Sequence, residues 1–401
     1  MHGALKLILP AALIGAAIFL SAQRSFEARR NSGELSLVED CGAKGDGKSD
    51  DSGPLKTCLA RLQTSLNAGQ PAVLYIPAGH YRITGSNGEM PTIRWHGGVI
   101  RGDGPHASYI MLDDSYRGTL FSWSEAWIGR NYGAAYDPMK DANGPTITGL
   151  QIVGSLRAAA GQNAFVFYDR ADHVLMRDIE VINLKGKCLS VGQPKFMPVA
   201  YTRESFFENI KCWSTGTTDA PAVDISSYTA PNSDGTNELD FYKIVVLDAP
   251  ADGLLISNPN NASATRRIRF FGLRLEKCGH DCLVIGSATD RGQISGIDIF
   301  SLTALQAGAA ALHVGAGKSA AEPYQISIDG GFLGPGNKQA AYIEAARLIE
   351  LNLSHIDAPL ILGSRASLDV QISGNGDEKS WKIEREVSDL KKFVSKQNGP
   401  N

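Results

Sequence analysis

Two aspartates of this 401-residue chain stand in equivalent local contexts, each directly before a short apolar stretch. Asp252 precedes Gly253-Leu-Leu-Ile256, and Asp281, 29 residues further on, precedes Cys282-Leu-Val-Ile285. If these stretches pair as neighbouring parallel strands, their backbones lie about 4.8 Å apart and the two carboxylates are close. Such a pair can hydrolyse a glycosidic bond, because one group protonates the leaving oxygen while the other activates water or attacks. The spacing leaves both retention and inversion of configuration open.

His280 lies directly beside Asp281 and adds a group that titrates near neutral pH. A histidine there can act as a general acid or base, so Asp252, Asp281 and His280 are the candidate catalytic residues. Lys187 stands in the same position as the two aspartates, before Cys188-Leu-Ser-Val191, and is a candidate substrate-binding residue. Because aspartate is also common in turns, a purely structural role for these residues stays open.

The middle position of each apolar stretch points outward, because successive side chains of a strand alternate between its two faces. Asp224, His313 and Tyr342 hold this position in three of the stretches. Stacked strands bring them into one column, which we expect to line a groove that binds substrate. Leu255 and Val284 hold the same position, so the groove is predicted to be partly apolar.

An aromatic stretch with several glycines, between residues 116 and 136, is predicted to be a loop. In it, Trp123, Trp127 and Arg130 are candidate substrate-binding residues, because aromatic faces suit sugar rings and arginine pairs with carboxylates. The alternative is that the loop packs its own aromatic side chains against the rest of the protein.

The elements that position these residues repeat along the chain from about residue 146. Alternating apolar and polar residues predict strands with one buried face at Thr146–Val153, Leu175–Asn183, Phe206–Trp213, Leu239–Leu247, Ile268–Leu275, Ile294–Leu302, Tyr324–Phe332, Leu348–Ile356 and Leu368–Ser373. A shorter unit follows most of them, at Ala164–Phe167, Cys188–Val191, Ala222–Ile225, Gly253–Ile256, Cys282–Ile285, Ala311–Val314, Ala340–Ile343 and Pro359–Leu362. One coil of this size cannot bury its own apolar face, whereas stacked coils can.

A glycine- and aspartate-rich segment, residues 40–52, precedes a predicted helix whose apolar residues share one face. Asp46, Asp50 and Asp51 are predicted to form the turn and cap this helix, since aspartate favours both places. A strand is predicted over residues 72–83, with a turn at Pro77–Gly79.

These segments resemble the N-terminal domain of the pectate-lyase superfamily. The matching motifs are the run from Gly42 to Asp51, Gly-Ala-Lys-Gly-Asp-Gly-Lys-Ser-Asp-Asp, and Pro77-Ala78-Gly79-His80-Tyr81. The resemblance implies a β-helix whose N-terminal end is closed by a helix. The superfamily includes family 28-like glycoside hydrolases, polysaccharide lyases, epimerases and phage tailspikes.

Two further segments are similar to polygalacturonases, the pectin hydrolases of family 28. Ala251-Asp252-Gly253 resembles their Asn-Thr-Asp-Gly motif, and His280-Asp281-Cys282 resembles their Asp-Asp-Cys unit on the next coil. The resemblance implies catalytic carboxylates at the two aspartates. The chain departs from the pattern in four ways: His280 replaces the first aspartate of the pair, Ala251 replaces the threonine, Ala309-Ala310-Ala311 replaces Gly-His-Gly, and no Arg-x-Lys follows.

Together these patterns predict an all-β fold, a single-stranded right-handed parallel β-helix with an N-terminal capping helix. The right hand follows from the general chirality of parallel crossovers. Residues 31–376 are assigned to this domain, and residues 377–401 to a charged C-terminal tail or capping helix.

Residues 1–30 are predicted to be a signal peptide or an N-terminal anchor. Lys6 precedes an apolar run from Leu7 to Leu20, which is shorter than the roughly 20 residues of a membrane span. We therefore expect a secreted or periplasmic protein that touches a membrane only through this segment, if it is uncleaved. The net charge of −3 argues against nucleic acid as a partner.

Six cysteines are compatible with disulfides in an exported protein, and their spacing does not suggest a metal site. Cys41 with Cys58 is the predicted bridge, which ties the N-terminal turn to the helix after it.

The sequence as a whole predicts an exported glycoside hydrolase, polygalacturonase-like, that acts on an acidic polysaccharide without metal or other cofactor. A polysaccharide lyase acting by β-elimination is an alternative, and calcium is then a possible cofactor. A non-catalytic polysaccharide-binding or surface β-helix is the third.

Overall fold

A computed structural model describes the architecture of ten segments of the chain. They are residues 33–85, 89–94, 97–124, 144–196, 200–228, 235–259, 265–287, 290–315, 323–366 and 370–374. These segments form one helix, α1 (Ser52–Asn67), and 24 strands. The predicted N-terminal signal or anchor and the C-terminal tail lie outside the described residues.

The strands stack as parallel coils, each with a long strand and a short strand, and the predicted right-handed β-helix is confirmed. The long strands are β8 (Thr146–Val153), β11 (Leu175–Leu184), β13 (Tyr201–Thr215), β15 (Asn237–Leu247), β17 (Thr265–Glu276), β19 (Ile294–Leu305), β21 (Tyr324–Leu333), β22 (Gln339–Ile356) and β24 (Val370–Gly374). Each pairs in parallel with the next, as β13 pairs with β15 and β15 with β17.

The short strands form a second parallel sheet, here called the short face, which also takes in the first residues of β22. They are β7 (Gly118–Ser124), β9 (Gln162–Tyr168), β12 (Leu189–Gln193), β14 (Val223–Ile225), β16 (Leu254–Ile256), β18 (Leu283–Ile285), β20 (Ala310–Val314) and β23 (Leu360–Ala366). The first coils are built by β1 (Glu34–Ser36), β2 (Asp46–Asp50), β3 (Val73–Ile76), β4 (Gly79–Ile83), β5 (Val99–Gly102) and β6 (Ser108–Leu112). The remaining strand, β10 (Arg170–Asp172), follows β9 and pairs with β13.

The register of the short face is the one that the sequence predicts. Its outward column runs Ser190, Asp224, Leu255, Val284, His313, Tyr342, Ile361, one residue from each coil. Side chains that are far apart in sequence therefore meet as neighbours across one strand spacing.

Each coil turns toward the short face at a residue with left-handed backbone. This residue is Asp248 before β16, Lys277 before β18 and Gln306 before β20. The recurring bend sends successive coils round the same corner, so the turns that follow also stack. Asp252 and Asp281 both lie in these turns.

Buried side chains of the same kind stack along the inside of the helix. Phe207, Phe241 and Phe270 form an aromatic column with ring centroids 4.7 Å apart at each step. Each ring is fully buried, so the column removes a large apolar area from water and adds about 0.5–1.5 kcal/mol per pair beyond that burial. The column therefore packs successive coils against one another.

The N-terminal end is closed by α1, which buries Leu55, Cys58, Leu59 and Leu62 as predicted. The predicted turn function of the aspartates also holds. Asp51 accepts backbone N–H bonds from Lys44 and Gly45, at 2.7 and 3.2 Å, rather than capping the helix with its own side chain.

All six cysteines are paired. The predicted Cys41–Cys58 bridge is confirmed, and Cys188–Cys212 and Cys278–Cys282 join it. Disulfides persist in oxidising compartments, so three of them suggest an extracellular or periplasmic protein. In the segments that the structure describes, no helix is both long enough and apolar enough to cross a membrane.

Candidate active site

The structure brings Asp252 and Asp281 together at the corner where the coils enter the short face. The backbone N–H of Asp281 donates to Asp252 Oδ1 at 3.1 Å. The N–H of Gly253 donates to the carbonyl oxygen of Asp281 at 3.0 Å. These two bonds join neighbouring coils, and they set the pair in the predicted arrangement.

His280 bridges the two carboxylates. Its Nδ1 lies 2.9 Å from Asp252 Oδ1 and 3.2 Å from Asp281 Oδ2. The side chain of His280 is 64% exposed and that of Asp252 is 27% exposed, whereas that of Asp281 is only 3% exposed. His280 and Asp252 thus face solvent, while Asp281 lies beneath them.

A second histidine holds Asp281 from the next coil. His313 Nδ1 lies 2.8 Å from Asp281 Oδ2, and the backbone N–H of Ala310 donates to Asp281 Oδ1 at 2.7 Å. His313 was predicted to bind substrate in a groove with Asp224 and Tyr342. It does lie beside Tyr342, with ring centroids 4.8 Å apart, but its hydrogen bond ties it to the catalytic candidates.

The electrostatics of the cluster follow from these contacts. Burial by itself would raise the pKa of Asp281, but the bonds from His313 and the Ala310 N–H, with the charges of both histidines, lower that pKa overall. Burial opposes charging of His280, but the Asp252 hydrogen bond and the two carboxylate charges outweigh it and raise the pKa of His280. These contacts therefore favour the charged forms of Asp281 and His280.

The same three side chains could hold a cation, since one ligand atom from each of Asp252, His280 and Asp281 lies within 4.8 Å of the others. Hydrogen bonding between the histidine and the carboxylates already accounts for the arrangement without a metal. The prediction that no metal is required stays a prediction.

Lys187 and Asp224 lie on the short face and are engaged with each other. Lys187 Nζ forms an ion pair with Asp224 Oδ2, and Gln193 donates to the same oxygen at 3.2 Å. Ser226 donates to Asp224 Oδ1, so this buried carboxylate is fully surrounded by donors. The Lys187 side chain is 23% exposed and that of Asp224 is 8% exposed, so a substrate can reach Lys187 more readily than Asp224.

Three residues near these clusters were not predicted, because no motif in the sequence marks them. Glu344 Oε2 lies 3.8 Å from His313 Nε2, and a period of two from Tyr342 could have placed it on the same side of β22. Lys338 is exposed and close enough to His280 for its charge to act on it. Asp290 is buried, and this burial, with the charge of Asp224, raises its pKa to about 6.

The prediction that Trp123 binds substrate is wrong. Its side chain is 1% exposed and stacks on Phe167 inside the coil, with centroids 5.7 Å apart. The aromatic side chain packs in the core because β7 is a short-face strand that buries this position. Trp127 and Arg130, predicted with it, lie outside the described residues.

Residues 37–134 match the family described as rhamnogalacturonase A/epimerase, pectate lyase-like. The predicted resemblance of the N-terminal segment to the pectate-lyase superfamily is thereby confirmed. No curated protein sequence is significantly similar to the chain.

Several solved structures are similar to this one at low sequence identity. The A-module of mannuronan C-5 epimerase AlgE6 from Azotobacter vinelandii is 15% identical over 87% of this chain and 96% of its own, with a TM-score of 0.46. An exopolygalacturonase from Thermotoga maritima is 13% identical over 85% and 86%, with a TM-score of 0.37. ORF18 of Geobacillus virus E2 is 14% identical over 89% of this chain, which spans 60% of that protein, with a TM-score of 0.43.

Proposed function

We propose that this protein is an exported carbohydrate-active enzyme that hydrolyses glycosidic bonds in an acidic polysaccharide. The observation that carries the proposal is an exposed histidine held by two carboxylates from neighbouring coils, His280 between Asp252 and Asp281. A group that donates a proton and a group that attacks or activates water thus stand side by side, as glycoside hydrolysis requires.

The exposure of the three side chains suggests which role each of them has in the reaction. Asp252 faces solvent and acts as the nucleophile or as the base that activates water. The carboxylates accept from Nδ1–H of His280, so the imidazolium gives its Nε2 proton to the leaving oxygen and is left as the tautomer protonated at Nδ1. Asp281 is too buried to touch a sugar and acts as a positioning residue for His280 and His313.

The raised pKa of His280 favours hydrolysis over β-elimination. A lyase begins by removing a proton beside a uronate carboxylate, and an imidazolium cannot accept that proton. The exposed Lys338 and His280 add positive charge at the mouth of the site, which favours substrates that carry carboxylates. Export is supported by the three disulfides.

The test is the release of new reducing ends from a panel of acidic polysaccharides by the wild type and by Asp252→Asn. Cleavage by the wild type without an ultraviolet-absorbing unsaturated product, together with loss of cleavage in the variant, supports the hydrolase. An unsaturated product identifies a lyase instead. Binding of polymer with no cleavage of any member of the panel points to a non-catalytic binding protein.

A further inference from the structure

The two residues that bind Asp252 lie inside a very small disulfide ring. Cys278 and Cys282 are bridged across a sequence separation of 4, and His280 and Asp281 are two of the three residues between them. Both cysteines are buried, so the bridge itself lies in the packed corner, while His280 reaches solvent from the ring.

The ring is attached to the coils on both sides through its backbone. Gly279 N–H donates to the carbonyl oxygen of Ala249 at 2.8 Å, on the preceding coil. The N–H of Cys282 donates to the carbonyl oxygen of Ala310 at 2.9 Å, on the following coil. Cys278 accepts a further bond from Gly308 at 2.8 Å. The bridge closes the ring, and these bonds hold its backbone to the coil before it and to the coil after it.

The ring also packs directly beneath the residue that follows Asp252. A Cβ added to Gly253 would lie 2.6 Å from the carbonyl oxygen of Cys282 and 3.1 Å from the Sγ of Cys278. Only glycine allows the backbone of one coil to approach the bridge of the next so closely. Because Asp252 directly precedes Gly253, its position depends on the same disulfide that encloses His280 and Asp281.

We infer that the Cys278–Cys282 bridge is a positioning device that holds His280 and Asp281 against Asp252. This inference rests on the proposed function for its consequence in catalysis, but the geometry that it concerns can be measured without a substrate. In the chain-entropy description, a bridge restricts the unfolded chain more when it closes a longer loop. A ring this small therefore contributes less of that kind than a longer loop does, and its particular effect is on local backbone freedom.

The Cys41–Cys58 bridge provides a matched control, because it closes a longer loop, with a separation of 17, and lies at the N-terminal cap. The experiment compares two double variants, Cys278→Ala with Cys282→Ala, and Cys41→Ala with Cys58→Ala. Three quantities are measured on each: the melting temperature, kcat/KM on the polysaccharide that the wild type cuts, and the pH titration of His280 by NMR.

The two variants are expected to separate stability from activity. Loss of the small ring should lower kcat/KM by about 10²-fold, since a misplacement of about 1 Å has that effect, while lowering the melting temperature less than the control does. The His280 pKa should fall toward its ordinary value, because the contacts with both carboxylates loosen. The control variant should melt earlier and leave the His280 titration where it is in the wild type.

The inference is overturned if His280 titrates identically in the wild type and the small-ring variant. It is also overturned if peptide mapping of the wild-type protein finds Cys278 and Cys282 as free thiols. Should the variant not fold, reduction of the wild type with a phosphine, mapped by mass spectrometry and followed by the same titration, gives the comparison. A wild type that cuts no polysaccharide refutes the proposed function, while the titration still decides the inference.

Discussion

Two columns of charged side chains on this molecule follow the same stacking rule and differ in their chemistry. On the outer side of the long strands, Asp240, Arg269 and Asp298 stand on successive coils in direct register. At the corner before the short face, Asp252 and Asp281 stand on successive coils in the same way. The first column alternates in sign, whereas the second places like charges side by side.

In the alternating column, Arg269 and Asp240 form an ion pair. Arg269 donates to both oxygens of Asp240, at 2.6 and 2.7 Å, and the hydrogen bond with this carboxylate raises the pKa of Arg269 further above its already high value. The corner column instead needs His280 and His313 to compensate its carboxylates, and histidine titrates where proton transfer is useful. Stacking fixes the distance between neighbours, and the residue types decide whether a column supports structure or chemistry.

The largest effect is expected from neutralising one aspartate in each column. Asp252→Asn should lower kcat/KM by about 10³-fold or more, as the loss of a catalytic group does. Asp240→Asn is the matched control, because this side chain is similarly exposed, at 22% against 27%. Both variants should keep the wild-type circular dichroism spectrum. Equal activity of the two variants would place the chemistry elsewhere.

The next comparison is between two adjacent phenylalanines, one inside the coil and one on its outer surface. Phe270 is fully buried and stacks on Phe241, whereas Phe271 is half-buried and stacks on Tyr242 and Phe300 along the surface. Phe270→Ala should cost about 3–5 kcal/mol of unfolding free energy, through lost burial and a cavity. Phe271→Ala should cost clearly less. Denaturant unfolding of both variants measures the difference.

The histidine of the corner column should set the alkaline side of the activity profile. His280 must be protonated to donate, and its pKa is raised, so activity should persist through neutral pH and fall as pH rises through that pKa. His280→Gln should lower kcat by about 10²-fold and remove this fall. The profile of kcat/KM against pH is the measurement. An unchanged alkaline limb in the variant would assign the proton donor to another group.

The same shift has a consequence for stability. Because the pKa of His280 is higher in the folded than in the unfolded protein, its contribution to stability is complete below the unfolded pKa. It is lost as pH rises through the folded pKa.

The smallest effect is expected from removing the ion pair in the alternating column. Arg269→Gln breaks a solvent-exposed ion pair, which usually contributes only about 0.2–1 kcal/mol. Its unfolding free energy should change by no more than that, and added salt should reduce the difference. Activity should not change, because the column lies on the long strands and not at the corner. A large loss of activity would mean that this face also takes part in binding.

Much of the fold can be predicted from residues alone, because a period of two fixes which side chains of a strand face inward. That rule correctly predicted the long strands, the short units and the outward column from Ser190 to Ile361. The equivalent positions of Asp252 and Asp281 likewise predicted that they meet. The same rule did not exclude Trp123 from a binding loop, because an aromatic residue suits a core as well as a sugar site.

Sequence by itself determined the stacking of coils, the N-terminal cap with its Cys41–Cys58 bridge, and the adjacency of two carboxylates and a histidine. Tertiary structure alone decided that Asp281 is buried between His280 and His313, and that Cys278 and Cys282 close a ring around it. The physical reason is that strand periodicity sets the spacing and facing of residues. The depth of a side chain and its partner depend on turn lengths and on packing between coils, which no single coil encodes.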